Sequence, residues 1–263
     1  MKNYYPDGFC IWDTWYWRDA DTTHLFYLQW KRPGNSLPDH YTGTVGHAVS
    51  TDLIRWKEYP IAVYRGEEGS YDDGTQATGC AIKHDGVWYL YYSSNHLENG
   101  RVVSGMCLAT SPDSITFEKH PENPIITPDT RWYHHKDASP PSHYYHCYPD
   151  VDFRDLIIVK DPEGPGWLGY VVVRLKDGAM YETCCIALLE SNDLIHWEMK
   201  PPCCKPDRFV CFEVPDVFEL NGRWYMTALT GDGYGQRRRW KDPYIHSATI
   251  VFESDSPRGP FIE

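Results

Sequence analysis

The feature that most constrains this chain is internal repetition. One pattern recurs four times: an aromatic or aliphatic run, a gap, a second apolar run closed by a short polar turn, and a further short extended segment. The first copy reads His24-Leu25-Phe26-Tyr27-Leu28-Gln29, then Gly46-His47-Ala48-Val49-Ser50-Thr51-Asp52-Leu53-Ile54-Arg55-Trp56. The second has Val87-Trp88-Tyr89-Leu90-Tyr91-Tyr92 and Met106-Cys107-Leu108-Ala109-Thr110-Ser111-Pro112-Asp113. In the third, Trp167 to Val173 precede Ile186 to Trp197, and in the fourth Arg223 to Leu229 precede Thr249 to Asp255. Starts near residues 24, 87, 167 and 223 leave intervals of 63, 80 and 56. Those are too long for a solenoid and suit four-stranded propeller blades with long loops. The expectation is an all-β propeller forming a single domain over residues 1–263. The fourth copy stops at Ser256-Pro257-Arg258-Gly259-Pro260-Phe261, which leaves the last blade incomplete, and a closed four-bladed ring is the alternative.

Composition agrees with that reading. Aromatic residues make up 15% of the chain, with 11 Trp and 20 Tyr, and 20 Gly and 20 Pro supply turns. Many short strands joined by tight loops would use such a mixture, and flat rings also stack on the C–H faces of sugars. Lys and Arg total 25 against 37 Asp and Glu, a net charge of −12. This balance argues against nucleic acid or an anionic membrane as the main partner. No run of about 18 apolar residues exists, and Met1 to Asp7 lack the apolar core of a signal peptide, so a cytoplasmic location is expected. Nine cysteines without a Cys-x-x-Cys spacing read as free, mostly buried thiols. His134, His135, His143 and His146 fall in a loop-rich stretch without metal-site spacing, and Arg237-Arg238-Arg239 reads as a solvated loop. Neither a metal nor a cofactor is expected.

Three carboxylates stand out where the innermost strand of a blade should run. Asp13 lies in Ile11-Trp12-Asp13-Thr14-Trp15, Asp155 in Asp152-Phe153-Arg154-Asp155-Leu156, and Glu213 in Phe212-Glu213-Val214-Pro215-Asp216-Val217-Phe218. Each has apolar or aromatic neighbours and heads a different repeat. Burial there raises a carboxyl pKa toward the range a general acid needs, and three such groups at the same relative place point to an axial site.

These segments, in this order, resemble the three catalytic motifs of glycoside hydrolase family 32, the invertase, inulinase and levanase family of five-bladed β-propellers. His24-Leu25-Phe26-Tyr27-Leu28-Gln29 is similar to the family's His-Leu-Phe-Tyr-Gln, and Gly46 to Trp56 to its Gly-His-Ala-x-Ser-x-Asp-Leu-x-x-Trp stretch. Tyr71-Asp72 with Thr78-Gly79-Cys80-Ala81, Phe153-Arg154-Asp155-Leu156 and Glu213-Val214-Pro215-Asp216-Val217-Phe218 resemble three further family boxes. The first box departs, because Trp12-Asp13-Thr14-Trp15 replaces Asn-Asp-Pro-Asn.

The resemblance implies a five-bladed propeller glycosidase, without an evident C-terminal β-sandwich, that cleaves β-fructofuranosidic or related furanosidic bonds with retention. It makes Asp13 the nucleophile, Glu213 the acid/base and Asp155 the transition-state stabiliser. Gln29 and Thr78 match sugar-contact positions, and Arg154 and Asp216 become sugar-binding or supporting partners. Trp12, Trp15 and Trp30 flank the expected funnel as stacking platforms, whereas Trp56, Trp88, Trp197 and Trp224 recur once per blade as inter-blade core. The implied partner is a disaccharide or oligosaccharide. Rival readings are an arabinan- or xylan-type hydrolase, a transglycosylase, and a catalytically silent carbohydrate-binding propeller.

Overall fold

In the computed structural model the chain is described over residues 4–32, 43–98, 101–135, 152–178, 182–207, 211–231 and 247–263. Four antiparallel sheets follow one another along the sequence, each a meander. Blade I comprises β1 (Phe9–Asp19), β2 (Thr22–Lys31), β3 (Thr44–Ser50) and β4 (Lys57–Glu58). Blade II has an inner strand in two pieces, β5 (Gln76–Ala77) and β6 (Ala81–His84), followed by β7 (Val87–Glu98), β8 (Arg101–Ser111) and β9 (Glu118–Lys119). Blade III holds β10 (Phe153–Lys160), β11 (Trp167–Arg174), β12 (Cys184–Ser191) and β13 (Glu198–Cys204). Blade IV holds β14 (Glu213–Leu220), β15 (Arg223–Gly231) and β16 (Ser247–Ser254). The repeat visible in sequence is thus the second to fourth strands of each blade, and the candidate carboxylates sit on the first.

Successive blades stack face to face, as alternation along each strand requires. Phe153, Val171, Val173 and Cys185 point from blade III toward blade II, while Val172, Cys184 and Ile186 point toward Phe212, Val217 and Met226 of blade IV. Trp15, Phe26 and Leu28 of blade I meet Leu90, Tyr92 and Cys107 of blade II. With neighbours on both sides, all of β11 is buried. The outward face of blade IV, by contrast, leaves Phe218, Leu220, Leu229 and Val251 exposed.

The polar turn that closes the third strand is built alike in three blades. In blade I, Ser50 Oγ accepts the amides of Asp52 and Leu53, and Asp52 Oδ1 accepts those of Ile54 and Arg55 at 2.9 and 2.8 Å. Ser111 with Asp113 and Ser191 with Asp193 repeat the scheme. Such loops satisfy backbone groups that a sheet ladder would otherwise use. They force the residue after the Asp into the left-handed region, with φ of 60°, 63° and 65° at Leu53, Ser114 and Leu194. Blade IV places Pro257 there, whose ring forbids that φ, and its turn uses Ser254 and Ser256 instead.

Past that turn the chain returns along blade IV. Ile262 pairs with Glu253 of β16, while the amide of Phe261 donates to Cys203 of blade III at 2.8 Å. Phe261-Ile262 is therefore an outer strand of blade IV that is also tied by main-chain hydrogen bonds to blade III. Arg258 adds ion pairs to Asp161, Glu163 and Glu190. No helix among the described residues is long and apolar enough to cross a membrane.

Blade I contains a buried histidine pair. His24 Nδ1 and His47 Nε2 lie 3.0 Å apart, and the His47 ring stacks on Phe26 at 4.3 Å. Burial, reinforced by His24, lowers His47 to about 3, so it is neutral when folded. Its unfolded counterpart titrates near 6.5. Stability from the neutral pair is therefore complete above that value and is lost as pH falls from about 6.5 toward 3. We expect the unfolding free energy from urea titration to fall between pH 7 and pH 5, by up to about 2 kcal/mol from His47, and to fall less in His47→Gln.

Candidate active site

The four inner strands share one irregularity at one level. β1 pairs Ile11 with Gln29 and then Thr14 with Tyr27; β10 pairs Arg154 with Val172 and then Ile157 with Tyr170; β14 pairs Glu213 with Leu229 and then Asp216 with Thr227. In blade II, Ala77 pairs with Ser93 and Ala81 with Leu90. Every inner strand thus carries one residue more than its partner, a β-bulge that bends the strand and re-aims side chains. In blade II the bulge needs Gly79, because a Cβ there would collide with the Tyr91 carbonyl and lie 2.9 Å from Tyr92 Cα.

The predicted residues gather at this level. Asp13 lies in the bulge of blade I, Thr78 in that of blade II and Asp155 in that of blade III, and Glu213 immediately precedes the bulge of blade IV. The sequence reading expected the three acids at one equivalent position. The register corrects this: Asp155 corresponds to Val214, and Glu213 to Arg154. Asp155 and Val214 are both left-handed, at φ 60° and 46°.

A bulge frees backbone groups from the ladder, and here neighbouring blades take them up. The Asp155 amide donates to Ser93 Oγ at 3.2 Å, and Ser93 Oγ donates to the Thr78 carbonyl at 2.8 Å. The Val214 amide donates to Asp155 Oδ2 at 2.9 Å, and Thr78 Oγ1 donates to Asp13 Oδ2 at 2.5 Å. Arg154, which is buried, reaches from blade III to Glu213 Oε1 of blade IV at 3.4 Å, with Nε 3.7 Å from Asp155 Oδ2. Hydrogen bonds and ion pairs therefore run around the axis from Asp13 to Glu213. Beyond them lies a cavity of about 400 Å³, lined by Thr14–Trp17, Thr78–Ala81, Asp155–Ile158 and Val214–Asp216.

The carboxylates influence one another. Burial pushes Asp155 up to about 7; the Arg154 charge and the Val214 amide oppose this, and the charges of Asp13 and Glu213 add to it. Burial also raises Asp13, while the Thr78 hydroxyl and Arg154 favour its ionised form. The site can thus hold protonated and ionised carboxyls side by side, which acid/base chemistry requires.

The other predicted residues separate. Asp216 is exposed beside the axial cavity. Trp12 is 57% exposed and its ring lies 6.1 Å from that of Trp30, which is itself buried. Gln29 is buried and donates to Thr44 Oγ1 at 3.3 Å. Trp15 and Trp30 are corrections, because at 7% and 5% exposure both are buried, Trp15 in the core between blades I and II with its ring 6.4 Å from Phe26, and neither presents an open face for stacking. The structure adds Ser93, Asp152, Arg174 and Cys211, none of which the sequence reading had assigned a role. Cys211 Sγ lies 2.7 Å from Arg154 Nη2. The alternation of Asp152 with Arg154 was the available signal, since residues two apart share a strand face.

Among the described residues eight cysteines are free and all but Cys10 are buried; burial pushes Cys203 up to about 12, so it stays a thiol. Cys147, His143, His146 and Arg237-Arg238-Arg239 lie outside the described residues. Among the described residues no three His, Cys, Asp or Glu side chains converge as a metal site.

Comparison with known proteins places this geometry in a family. Residues 5–251 match the family described as "Glycosyl hydrolases family 32 N-terminal domain". A sucrose-6-phosphate hydrolase of Escherichia coli is 28% identical over 236 residues, 86% of this chain and 43% of that protein. A raffinose invertase of Escherichia coli is 31% identical over 250 residues, 88% of this chain and 46% of that protein. The chain thus spans less than half the length of these curated relatives. Among solved structures, an inulosucrase from Halalkalicoccus jeotgali bound to kestose superposes with a TM-score of 0.74 at 18% identity, over 97% of this chain and 67% of that one. A matched segment that contains all four bulges and all three acids makes the assignment plain: the chain belongs to glycosyl hydrolase family 32.

Proposed function

We propose that this protein is a glycoside hydrolase that cleaves the β-fructofuranosidic bond of a disaccharide or oligosaccharide with retention of configuration. The observation that carries the reading is the gathering of Asp13, Asp155 and Glu213 at the bulge level of three inner strands, with Thr78 bound to Asp13, Arg154 beside Asp155 and Glu213, and a cavity lined by Thr78, Asp155 and Asp216 next to them. Relatives named sucrose-6-phosphate hydrolase and raffinose invertase support the choice of a fructoside.

Retention needs a carboxylate that attacks the anomeric carbon and a carboxylic acid that protonates the leaving oxygen. Thr78 fixes Asp13 Oδ2, and Oδ1 attacks. Glu213 gives its proton to the departing oxygen as the glycosyl–Asp13 ester forms. It then takes a proton from water, which attacks the anomeric carbon and releases Asp13 as carboxylate. Asp155, ionised, accepts hydrogen bonds from sugar hydroxyls and opposes the positive charge that develops on the ring. Trp12 supplies an exposed aromatic face for the sugar, with Trp30, Gln29 and Asp216 shaping its surroundings.

The same reading makes the four blades part of a five-bladed propeller, with residues 1–263 belonging to one catalytic domain. The apolar face that blade IV leaves open, with Phe218, Leu220, Leu229 and Val251, supports a further blade there.

Release of fructose is expected from at least one of sucrose, sucrose 6-phosphate, raffinose, inulin and levan. Glu213→Ala should lower the rate on unactivated substrates by about 10²–10⁴-fold, and Asp13→Ala should abolish it in a folded protein. With methanol competing against water, retention gives methyl β-fructofuranoside; the α-anomer would overturn the role of Asp13. Sugar binding without turnover of any substrate would establish a carbohydrate-binding propeller instead, and turnover of aryl arabinofuranosides alone an arabinan-type enzyme.

Thr78→Val tests the local chemistry. The Thr78 hydroxyl favours ionised Asp13, so its loss raises the Asp13 pKa and moves the acidic limb of kcat/KM to higher pH. A hydrogen bond to a charged group contributes about 1.5–3 kcal/mol, so kcat/KM should fall about 10- to 100-fold.

A further inference from the structure

Arg154 is itself held by a buried charge cluster. β10 and β11 pair Phe153 with Val173 and Arg154 with Val172, so Asp152 falls opposite Arg174 one step further along the ladder. Asp152 and Arg154 share the face that looks toward blade IV. One Asp152 oxygen contacts Arg154 Nη1, and the other contacts Arg174 Nη2. Asp152 is 1% exposed, Arg154 7% and Arg174 8%.

Three buried charges are costly unless they satisfy one another. A purely structural pair would end at neutrality, whereas two guanidinium groups on one carboxylate leave a net positive charge. Arg154, which carries one of the two positive charges, lies within 3.4 Å of Glu213 and 3.7 Å of Asp155. Arg174 is fixed by its backbone carbonyl, which accepts the amide of His134 at 2.9 Å. Despite burial, Asp152 is held below the usual carboxylate range by the two arginines, so it stays charged. The groups facing the cluster are Asp13 of β1, Asp155 of β10, Cys184 of β12, Cys211 just before β14, Glu213 of β14 and His134 of the preceding loop. Burial and Arg174 lower His134 and keep it neutral, and burial keeps Cys211 a thiol.

We propose that Asp152 and Arg174 are positioning residues that act through Arg154: they hold its guanidinium against Glu213 and set how much positive charge the acid/base carboxyl experiences. Asp152 withdraws part of the Arg154 charge, and Arg174 offsets that withdrawal. This inference rests on the acid/base role of Glu213 proposed above.

The two partners carry opposite charge, so their removal shifts Glu213 in opposite directions. Asp152→Asn leaves Arg154 less compensated, favours ionised Glu213, and should move the basic limb of kcat/KM to lower pH by about half a unit or more. Arg174→Met should move it to higher pH by a similar amount. Arg174→Lys keeps the charge and should retain the wild-type limb, and the double variant should return toward it. Were Asp152→Asn not to fold, the contrast between Arg174→Met and Arg174→Lys decides the matter. Unmoved limbs in folded variants, or shifts of the same sign, would overturn the inference. A 13C NMR titration of the Glu213 carboxyl, identified by its loss in Glu213→Gln, reads the same shifts without turnover. Inactive wild-type protein would thus count against the hydrolase reading alone, whereas an unshifted Glu213 resonance counts against this inference.

Discussion

Everything at the axis depends on the bulge that all four inner strands carry at the same level. A regular ladder would commit alternate amides of the inner strand to its own sheet and alternate side chains strictly between the two blade faces. One extra residue breaks both constraints. It turns Asp13, Thr78 and Asp155 toward the axis, and it frees the Asp155 and Val214 amides to bind groups of the neighbouring blade. The hydrogen bonds a sheet gives up at its bulge therefore become bonds between blades.

Gathering three carboxylates costs energy because each carries charge into a poorly solvated place and repels the other two. The structure offsets that cost unevenly. Asp13 receives a hydroxyl, Asp155 receives an amide, and Glu213 receives one edge of Arg154. The most buried of the three, Asp155, remains the most strained electrostatically and is pushed to about 7. Hydroxyl groups donated to Asp155 would favour its ionised form and offset part of that cost.

Much of this was legible in the chain itself. The repeats follow from alternation and from Ser-x-Asp turns, whose side chains bond locally, so a short window of sequence contains the whole cause. Asp13, Asp155 and Glu213 stood out because an acid among apolar neighbours needs a reason. The bulges were not legible, since an extra residue relative to a partner strand is defined only once the partner is known. That is why the acids were expected at one equivalent position and why Trp15 was placed at the funnel. Alternation around a bulge changes phase, which turns Trp15 into the blade core while Asp13 faces the axis. Ser93 escaped notice for a similar reason: a serine in a strand carries no signal until a neighbouring blade presents an amide to it.

The strand Phe261-Ile262 has a bearing on the site although it lies at the rim. Its backbone bonds to Cys203 of blade III and to Glu253 of blade IV, with Arg258 clamping the approach. Arg154 and Glu213 belong to those same two blades. Packed sheets joined only by side chains can slide or tilt against one another by fractions of an ångström, and a 3.4 Å ion pair across such a seam would fluctuate with them. The strand bonds to the backbone of both blades, so blades III and IV are tied at the circumference as well as at the axis, where Arg154 meets Glu213 and the Val214 amide meets Asp155.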